Sequence, residues 1–154
     1  MIRFPAQVVR RCFIDTSAYY ALSDRDERHH PVATEIVQLL QHQRWTAYTS
    51  NFTIAEQYAL HLSRLGREAA IHALLLIERS NARIVRIAQR DEVRAREILL
   101  RYTDKAFSYV DATSFAVMER LAIQYAFTFD DDFDRYGFTR LSPELLRSLA
   151  YVLR

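Results

Sequence analysis

"RRCFIDTSAYYALS", residues 10–23, decides the fold that we predict for this sequence. A short apolar run ends in Asp15, and a segment with helical spacing begins at the next residue. A buried strand that leads at once into a helix is the first half of a β–α unit. Asp15 therefore follows the carboxyl end of a strand, which is where open α/β sheets bind their ligands.

The same alternation of strand and helix continues along the chain. We predict strands at 10–15, 46–50, 82–88 and 126–129, with a candidate fifth at 137–141. We predict helices at 16–23, 31–44, 51–65, 67–80, 90–102, 108–123 and 143–154. Strands alternating with helices indicate a mainly parallel sheet that is covered by helices on both faces. The pattern shows no repeat and no linker, so we expect a single domain over 1–154.

The helix predicted over 51–65 carries the second acidic candidate, Glu56. Asn51 is a plausible N-cap, because Asn side chains accept hydrogen bonds from the first helical amides. Glu56 lies in an apolar-leaning stretch, where an unpartnered charge is disfavoured. The helix is predicted from apolar residues at helical spacing: Phe52, Ala55, Ala59 and Leu62.

Composition places few limits on function but several on location. The 154 residues carry a formal charge of +2, which neither requires nor excludes nucleic acid. No apolar run approaches the roughly 20 residues of a membrane span, and residues 1–13 lack the core of a signal peptide. Cys12 is the only cysteine, which excludes an internal disulfide, and it lies in an apolar run as a buried, inert thiol would. We expect a cytoplasmic protein with no membrane partner.

Acidic residues recur near the predicted carboxyl edge of the sheet. Asp15 and Asp130 follow strands, Glu56 lies early in the helix after the second strand, and Asp111 begins the helix that precedes the fourth. Singly, each has an ordinary explanation: Asp15 could cap a helix, and Asp111 could form a capping box with Ser108. Together they would repel one another unless a divalent cation is bound, and hard oxygen ligands favour Mg²⁺ or Mn²⁺.

Four segments carry a resemblance to a known family: "FIDTSAYYAL", "TIAE", "SYVDATSFAVMERL" and "AFTFDDDF". In order and spacing the chain resembles a PIN-domain ribonuclease of the VapC-like toxin type. The resemblance implies a three-layer α/β/α domain with a central sheet of four to five strands. It implies that Asp15, Glu56, Asp111 and Asp130 form a metal-binding and catalytic quartet. It also implies Mg²⁺- or Mn²⁺-dependent cleavage of RNA, a homodimer and a small inhibitory antitoxin protein.

Residues around the quartet are predicted to assist it. Thr16 and Ser17 follow Asp15 and could orient that carboxylate or a metal-bound water. Asp104 matches a position that is often acidic in the toxin branch, and Thr128 opens the T-x-D motif that ends in Asp130.

The acidic turn "TFDDDFD", residues 128–134, needs its own assignment. We expect Asp130 to face the metal. We expect Asp131 to begin a short helical turn and to accept a backbone N–H. Asp132 is the open case, with or without a contact to a metal. Phe133 should pack inward against the sheet.

The resemblance also implies a mechanism. Asp15 and Asp111 would hold the principal metal beside Asp130, while Glu56 would ligate it or act as general base toward the attacking water. In-line attack on phosphorus would leave a 5′-phosphate and a 3′-hydroxyl. Candidate arginines for gripping the RNA are Arg25, Arg28, Arg64 and Arg135.

Two other functional classes remain open at this level. One is a non-catalytic PIN-like module that binds RNA or protein, against which the intact quartet argues. The other is a phosphoacceptor receiver domain, which also gathers aspartates at strand ends. A receiver needs an Asp after its third strand, where this chain has "ARIVRIAQRD", residues 82–91. The adjacent His29 and His30 are expected to form a solvated loop rather than a metal site.

Overall fold

The central sheet has five strands that all pair in parallel in a computed structural model, which describes residues 9–152. The strands are β1 (Arg11–Ile14), β2 (Thr46–Ser50), β3 (Arg83–Val85), β4 (Tyr125–Phe127) and β5 (Thr139–Arg140). Their number and direction confirm the predicted sheet. β3 is shorter than predicted, and β4 begins and ends earlier than predicted, so that Thr128 and Phe129 lie beyond the strand.

Eight helices are described between residues 9 and 152. They are α1 (Thr16–Ser23), α2 (His30–His42), α3 (Asn51–Leu65), α4 (Arg67–Arg79), α5 (Gln89–Arg101), α6 (Tyr109–Arg120), α7 (Asp132–Tyr136) and α8 (Pro143–Val152). None of them has both the length and the apolar character needed to cross a membrane. Residues 1–8, which hold most of the segment examined for a signal peptide, and the predicted helix end at 153–154 lie outside the described residues.

Two apolar cores flank the sheet because side chains alternate between its faces. Phe13 points into the core shared with α5, α6 and α7. Its neighbours Cys12 and Ile14 point into the core shared with α1, α2 and α8. The resulting order of helix layer, sheet and helix layer confirms the predicted three-layer fold. Burial raises the pKa of the Cys12 thiol to about 12, which is consistent with the inert thiol expected there.

The order of the strands creates the crevice that holds the site. The sheet runs β3–β2–β1–β4–β5, so the chain proceeds outward from β1 and then returns to the other side of β1. The direction of winding therefore reverses between β1 and β4, and ligands of open α/β sheets bind at such a switch point. Receiver domains have the different order 2-1-3-4-5. The strand order thus excludes the receiver alternative.

The helix predicted over 51–65 is confirmed as α3, but its inward face is polar. Thr53, Gln57 and His61 are fully buried, whereas Ala55 and Ala59 are exposed. The apolar spacing indicated a helix correctly, but it did not identify which face meets the rest of the protein. The Nδ1 of His61 is satisfied from within its own helix, because it lies 2.7 Å from the carbonyl oxygen of Gln57. The buried Nε2 of His61 has no hydrogen-bond partner among the described residues.

The cap of α3 also differs from the prediction. Ser50 is the N-cap, and its hydroxyl accepts a hydrogen bond from the amide of Thr53 at 3.0 Å. Asn51 instead points sideways, and its side-chain oxygen accepts a hydrogen bond from the amide of Ile87 at 2.8 Å. Asn51 therefore ties the segment that follows β3 to the start of α3.

The buried His61 generates a prediction about stability and pH. Burial lowers the pKa of His61, so the folded protein keeps it neutral while an unfolded chain protonates it near a pKa of roughly 6.5. The unfolded state binds more protons as the pH falls through this range, so the free energy of unfolding decreases. We expect the urea midpoint to drop more between pH 7.5 and pH 5.5 in the wild type than in His61→Gln.

The matched control is His72→Gln, which removes an exposed histidine of α4. It should follow the pH dependence of the wild type. Equal pH dependence of the wild type and His61→Gln would show that burial does not keep this histidine neutral.

Candidate active site

Asp15 lies at the end of β1 and is buried at the switch point. It caps α1, and its Oδ2 accepts hydrogen bonds from the hydroxyls of Ser17 and Thr128, both at 3.0 Å. Burial raises the pKa of Asp15, and these hydroxyl donors oppose that effect. This position is compatible with both interpretations of Asp15, as a helix cap and as a site residue.

A chain of hydroxyl contacts joins the ends of β1 and β4. Ser17 Oγ lies 3.1 Å from Thr128 Oγ1 and accepts a hydrogen bond from the amide of Phe129 at 2.9 Å. Thr128 Oγ1 in turn accepts a hydrogen bond from the amide of Asp130 at 3.0 Å. The predicted auxiliary residues Ser17 and Thr128 therefore determine where Asp130 leaves the sheet relative to Asp15.

Three carboxylates converge beside this network. Asp111, Asp130 and Asp132 each offer an oxygen, and these oxygens lie within 4.8 Å of one another. Asp111 is buried at the start of α6, while Asp130 and Asp132 are partly exposed in the acidic turn. The structure thus brings two quartet members together and adds Asp132, which the sequence left open.

Asp111 is held in position by a reciprocal pair of hydrogen bonds. Its Oδ2 accepts from the amide of Ser108, and its own amide donates to the Ser108 hydroxyl, each at 3.0 Å. The predicted capping box is therefore present. Burial raises the pKa of Asp111 to about 6, and the negative charges of Asp15 and Asp130 act in the same direction. Asp111 therefore caps α6 and also carries a negative charge that its surroundings disfavour.

Glu56 faces the same cluster from α3. Burial raises its pKa, the Thr16 hydroxyl opposes that effect, and the charges of Asp111 and Asp130 add to it. Glu56 is half-buried, and α3 packs against α6. The four members of the predicted quartet thus act on one another at a single edge of the sheet, although Asp15 and Glu56 are not part of the group of three convergent oxygens.

The acidic turn divides its charges differently from the prediction. Asp131 begins α7 as expected, but no side-chain capping bond is made there, and it pairs with Arg135 at 2.8 Å. Asp130 Oδ1 instead accepts a hydrogen bond from the amide of Asp132 at 2.9 Å. The prediction that Asp131 accepts a backbone N–H was therefore wrong, because Asp130 takes the amide two residues further on and the Asp131 carboxylate pairs with Arg135.

The remaining charges of this turn are paired with arginines. Arg135 also lies 3.0 Å from Asp132, and Arg140 lies 2.5 Å from Asp134. Phe133 is fully buried against the sheet, as predicted. Arg135, which the sequence suggested for gripping RNA, is thus engaged with two carboxylates of its own turn.

Asp104 lies apart from the convergent carboxylates. Its side chain is exposed and pairs with the adjacent Lys105 at 2.9 Å, which holds the pKa of Asp104 below its usual range. Asp104 precedes α6, and nothing in the described residues connects it with the group formed by Asp111, Asp130 and Asp132.

The three convergent oxygens fit a hard divalent cation. All the offered ligands are carboxylate oxygens, which are the donors that Mg²⁺ and Mn²⁺ prefer. Burial raises the pKa of Asp111, the charges of Asp15 and Asp130 raise it further, and a bound cation would oppose both effects. The donor set and its electrostatics therefore suit a metal site.

A three-layer fold with an acidic group at the carboxyl ends of its parallel strands is the arrangement of a PIN-like nuclease domain. Comparison with protein families agrees: the PIN domain family matches residues 12–139, so this chain belongs to the PIN domain family.

Individual relatives share nearly the whole domain. The 23S rRNA-specific endonuclease VapC20 of Mycobacterium tuberculosis strain H37Rv is 35% identical over 132 residues, which cover 86% of this chain and 98% of VapC20. The VapC20 of strain CDC 1551 matches equally well. A crystal structure of VapC20, described as a sarcin–ricin loop cleaving toxin, has a TM-score of 0.79 at 33% identity and covers 86% of this chain and 99% of that one. These comparisons confirm the resemblance to VapC-like PIN-domain ribonucleases.

The raised pKa of Asp111 predicts how its substitution changes the stability of the metal-free protein. The pKa of Asp111 rises from 3.8 to about 6 on folding, so ionisation at pH 7.5 costs at most about 3 kcal/mol of stability. We expect Asp111→Asn to raise the melting temperature by several degrees at pH 7.5 in EDTA. The amide oxygen of Asn can still accept from Ser108. Folding disfavours the ionised form of Asp111, and this cost to stability grows as the pH rises from the unfolded pKa toward the folded pKa of about 6. Most of the gain in melting temperature from Asp111→Asn should therefore disappear at pH 4.5.

Asp91→Asn is the matched control, since Asp91 is also buried in the first turn of a helix. Burial alone would raise the pKa of Asp91, but the Arg120 guanidinium at 2.8 Å lowers it below its usual range. Asp91→Asn should therefore lower the melting temperature at pH 7.5. Destabilisation by Asp111→Asn at that pH would contradict the prediction that the charge of Asp111 destabilises the metal-free protein.

Proposed function

We propose that this PIN-domain ribonuclease is a metal-dependent endoribonuclease and the toxin of a toxin–antitoxin pair. The observation that carries the proposal is the convergence of Asp111, Asp130 and Asp132 at the switch point of the sheet. Asp15 and Glu56 border the same group and complete an acidic rim around it. RNA is a cytoplasmic substrate, so we also infer a cytoplasmic location.

The residues divide the work as follows. Asp111 and Asp130, with Asp15 beside them, would hold Mg²⁺ or Mn²⁺, and Asp132 would supply a further oxygen. A divalent cation held there neutralises charge on the phosphate and lowers the pKa of water. Glu56 orients the attacking water and accepts its proton. The water attacks phosphorus in line, and the products carry a 5′-phosphate and a 3′-hydroxyl.

The relatives suggest which RNA to test first. VapC20 is named for 23S rRNA, and its crystal structure is titled for cleavage of the sarcin–ricin loop. We propose structured ribosomal RNA as the substrate of this chain. An oligonucleotide with the sarcin–ricin loop sequence and an unrelated stem-loop of equal length form the first pair of substrates.

Two neighbouring aspartates of the acidic turn provide the decisive test of the site. Asp130→Asn should reduce cleavage by orders of magnitude at every Mn²⁺ concentration, because it replaces a charged carboxylate of the convergent group with a neutral amide. Asp131→Asn should change cleavage only a few-fold, because Asp131 is paired with Arg135 outside the group. Asp15→Asn should be as inactive as Asp130→Asn while remaining folded by circular dichroism.

The measurement is the rate of cleavage against Mn²⁺ concentration, with the ends of the products identified. Full activity of a folded Asp130→Asn protein would refute the proposed ligand set. Binding of RNA without cleavage at any metal concentration would instead favour the non-catalytic PIN-like module.

A groove beside α1 and α2 suits the antitoxin. It encloses about 810 Å³ between α1, α2, β2 and the end of α4. Apolar side chains line it, including Tyr19, Leu22, Val37, Leu40 and Trp45. Arg44, Arg79 and Arg83 also line it and are exposed. We propose that an apolar antitoxin segment with acidic residues at its edges occupies this groove.

The exposed apolar face of α3 and α4 supports a homodimer. Leu62 of α3 and Leu75 and Leu76 of α4 are exposed, and Leu76 is 53% exposed. The two helices pack on each other, so the three exposed leucines belong to one helix pair. The other apolar helix, α2, is covered by α8, and its Ile36 is fully buried. We therefore propose that α4, rather than α2, forms the dimer contact.

The dimer is tested by charging that surface. Sedimentation at tens of micromolar should show twice the 18.1 kDa mass of the wild-type chain. Leu76→Glu should shift the protein toward the monomer, because it places a charge in an apolar contact. Val32→Glu introduces the same charge at an exposed valine of α2 and should leave the dimer intact. A wild-type monomer at these concentrations would refute the dimer.

A further inference from the structure

An aromatic pair adjoins the carboxylates and has no part in holding them. The imidazole of His29 stacks on the ring of Phe129, with centroids 4.4 Å apart and planes within 10°. Phe129 directly precedes Asp130, so their Cα atoms are about 3.8 Å apart. His29 comes from the connection between α1 and α2, far away in sequence. The fold thus places a flat ring stack beside the acidic group.

The lower ring of the stack is fixed relative to the site. The amide of Phe129 donates to Ser17 Oγ at 2.9 Å, which is the same hydroxyl that donates to Asp15. Its ring meets the ring of Phe127 edge-on, with centroids 6.1 Å apart. Phe129 therefore cannot shift without disturbing the contacts that join β1 to β4.

The upper ring is held by its own loop. The amide of His29 donates to Glu27 Oε2 at 2.6 Å, and the Arg28 guanidinium donates from Nε to His29 Nε2 at 3.1 Å. A guanidinium can only donate, so Nε2 is the acceptor and the ring proton lies on Nδ1. His29 is half-buried: Phe129 covers one face of its ring, and part of the residue stays accessible.

We propose that the open face of His29 stacks on a nucleobase that flanks the scissile phosphate. The inference rests on the proposed function, which puts the scissile phosphate at the carboxylates. Sequence-specific RNA recognition commonly splays out a base and stacks it on His, Phe, Tyr or Arg. The sugar is all that separates a base from its phosphate, so a base on His29 brings its phosphate toward Asp130. Arg28 adds a positive charge on the approach to that phosphate.

This arrangement makes His29 a substrate-positioning residue. Stacking of one base corresponds to about a 5- to 150-fold effect on affinity. His29→Ala should raise the KM for RNA within this range and leave kcat within a few-fold of the wild type. His29→Phe keeps a flat ring and should restore most of the loss. His42→Ala removes an exposed histidine from the other end of α2 and should behave as the wild type.

An abasic substrate separates stacking from a purely structural role. The cut is first mapped in an RNA stem-loop, and that RNA is then made with an abasic nucleotide on either side of the cut. With one of the two abasic RNAs, the wild type and His29→Ala should have equal kcat/KM. If the difference persists with both RNAs, or if His29→Ala equals the wild type on the intact RNA, the inference is overturned.

A second readout keeps the inference testable if the proposed function fails. Should the wild type cut no RNA with any metal, binding is followed with a stem-loop that carries 2-aminopurine in its loop. Quenching of the 2-aminopurine fluorescence by the wild type but not by His29→Ala would support the stacked base. Equal quenching by both, or by neither, would overturn it.

Discussion

The buried Asp15 carboxylate is the contact on which the rest of the site depends. Its Oδ2 accepts the hydroxyl of Thr128, so the end of β1 is tied to the end of β4 across 113 positions of sequence. Ser17 extends that link to the amide of Phe129, and Thr128 extends it to the amide of Asp130. A charged group is disfavoured in such a position without donors. The hydroxyls make the charge tolerable, and in doing so they determine where the acidic turn begins.

The polar face of α3 has consequences on both sides of the helix. Thr53, Gln57 and His61 face inward, which directs Glu56, the residue before Gln57, toward Asp111 and Asp130. The same rotation turns the apolar stripe of α3 outward, where with α4 it forms the surface that we propose for the dimer. One helix orientation therefore accounts for both a site residue and an exposed apolar face.

The acidic turn is tolerable because each of its four carboxylates has at least one partner of its own segment. Asp131 and Asp132 share Arg135, and Asp134 pairs with Arg140, so three of the carboxylates are compensated by arginines of the same segment. Asp130 accepts the amide of Asp132 instead and faces Asp111. Arg135 and Arg140 thus compensate the charges of the other three aspartates. The charge of Asp130 would be compensated by backbone donors and by a bound cation.

The sequence by itself determined the order of strands and helices, the parallel sheet and the acidic positions at its carboxyl edge. Those features follow from local periodicity and from caps such as Ser108 with Asp111, which a short window of residues contains. It did not determine the inward face of α3, the participation of Asp132 or the stacking of His29 on Phe129. Each of these depends on which distant segment packs alongside, and only the tertiary structure decides that: helical spacing indicates a stripe, but burial selects the face that meets a neighbour.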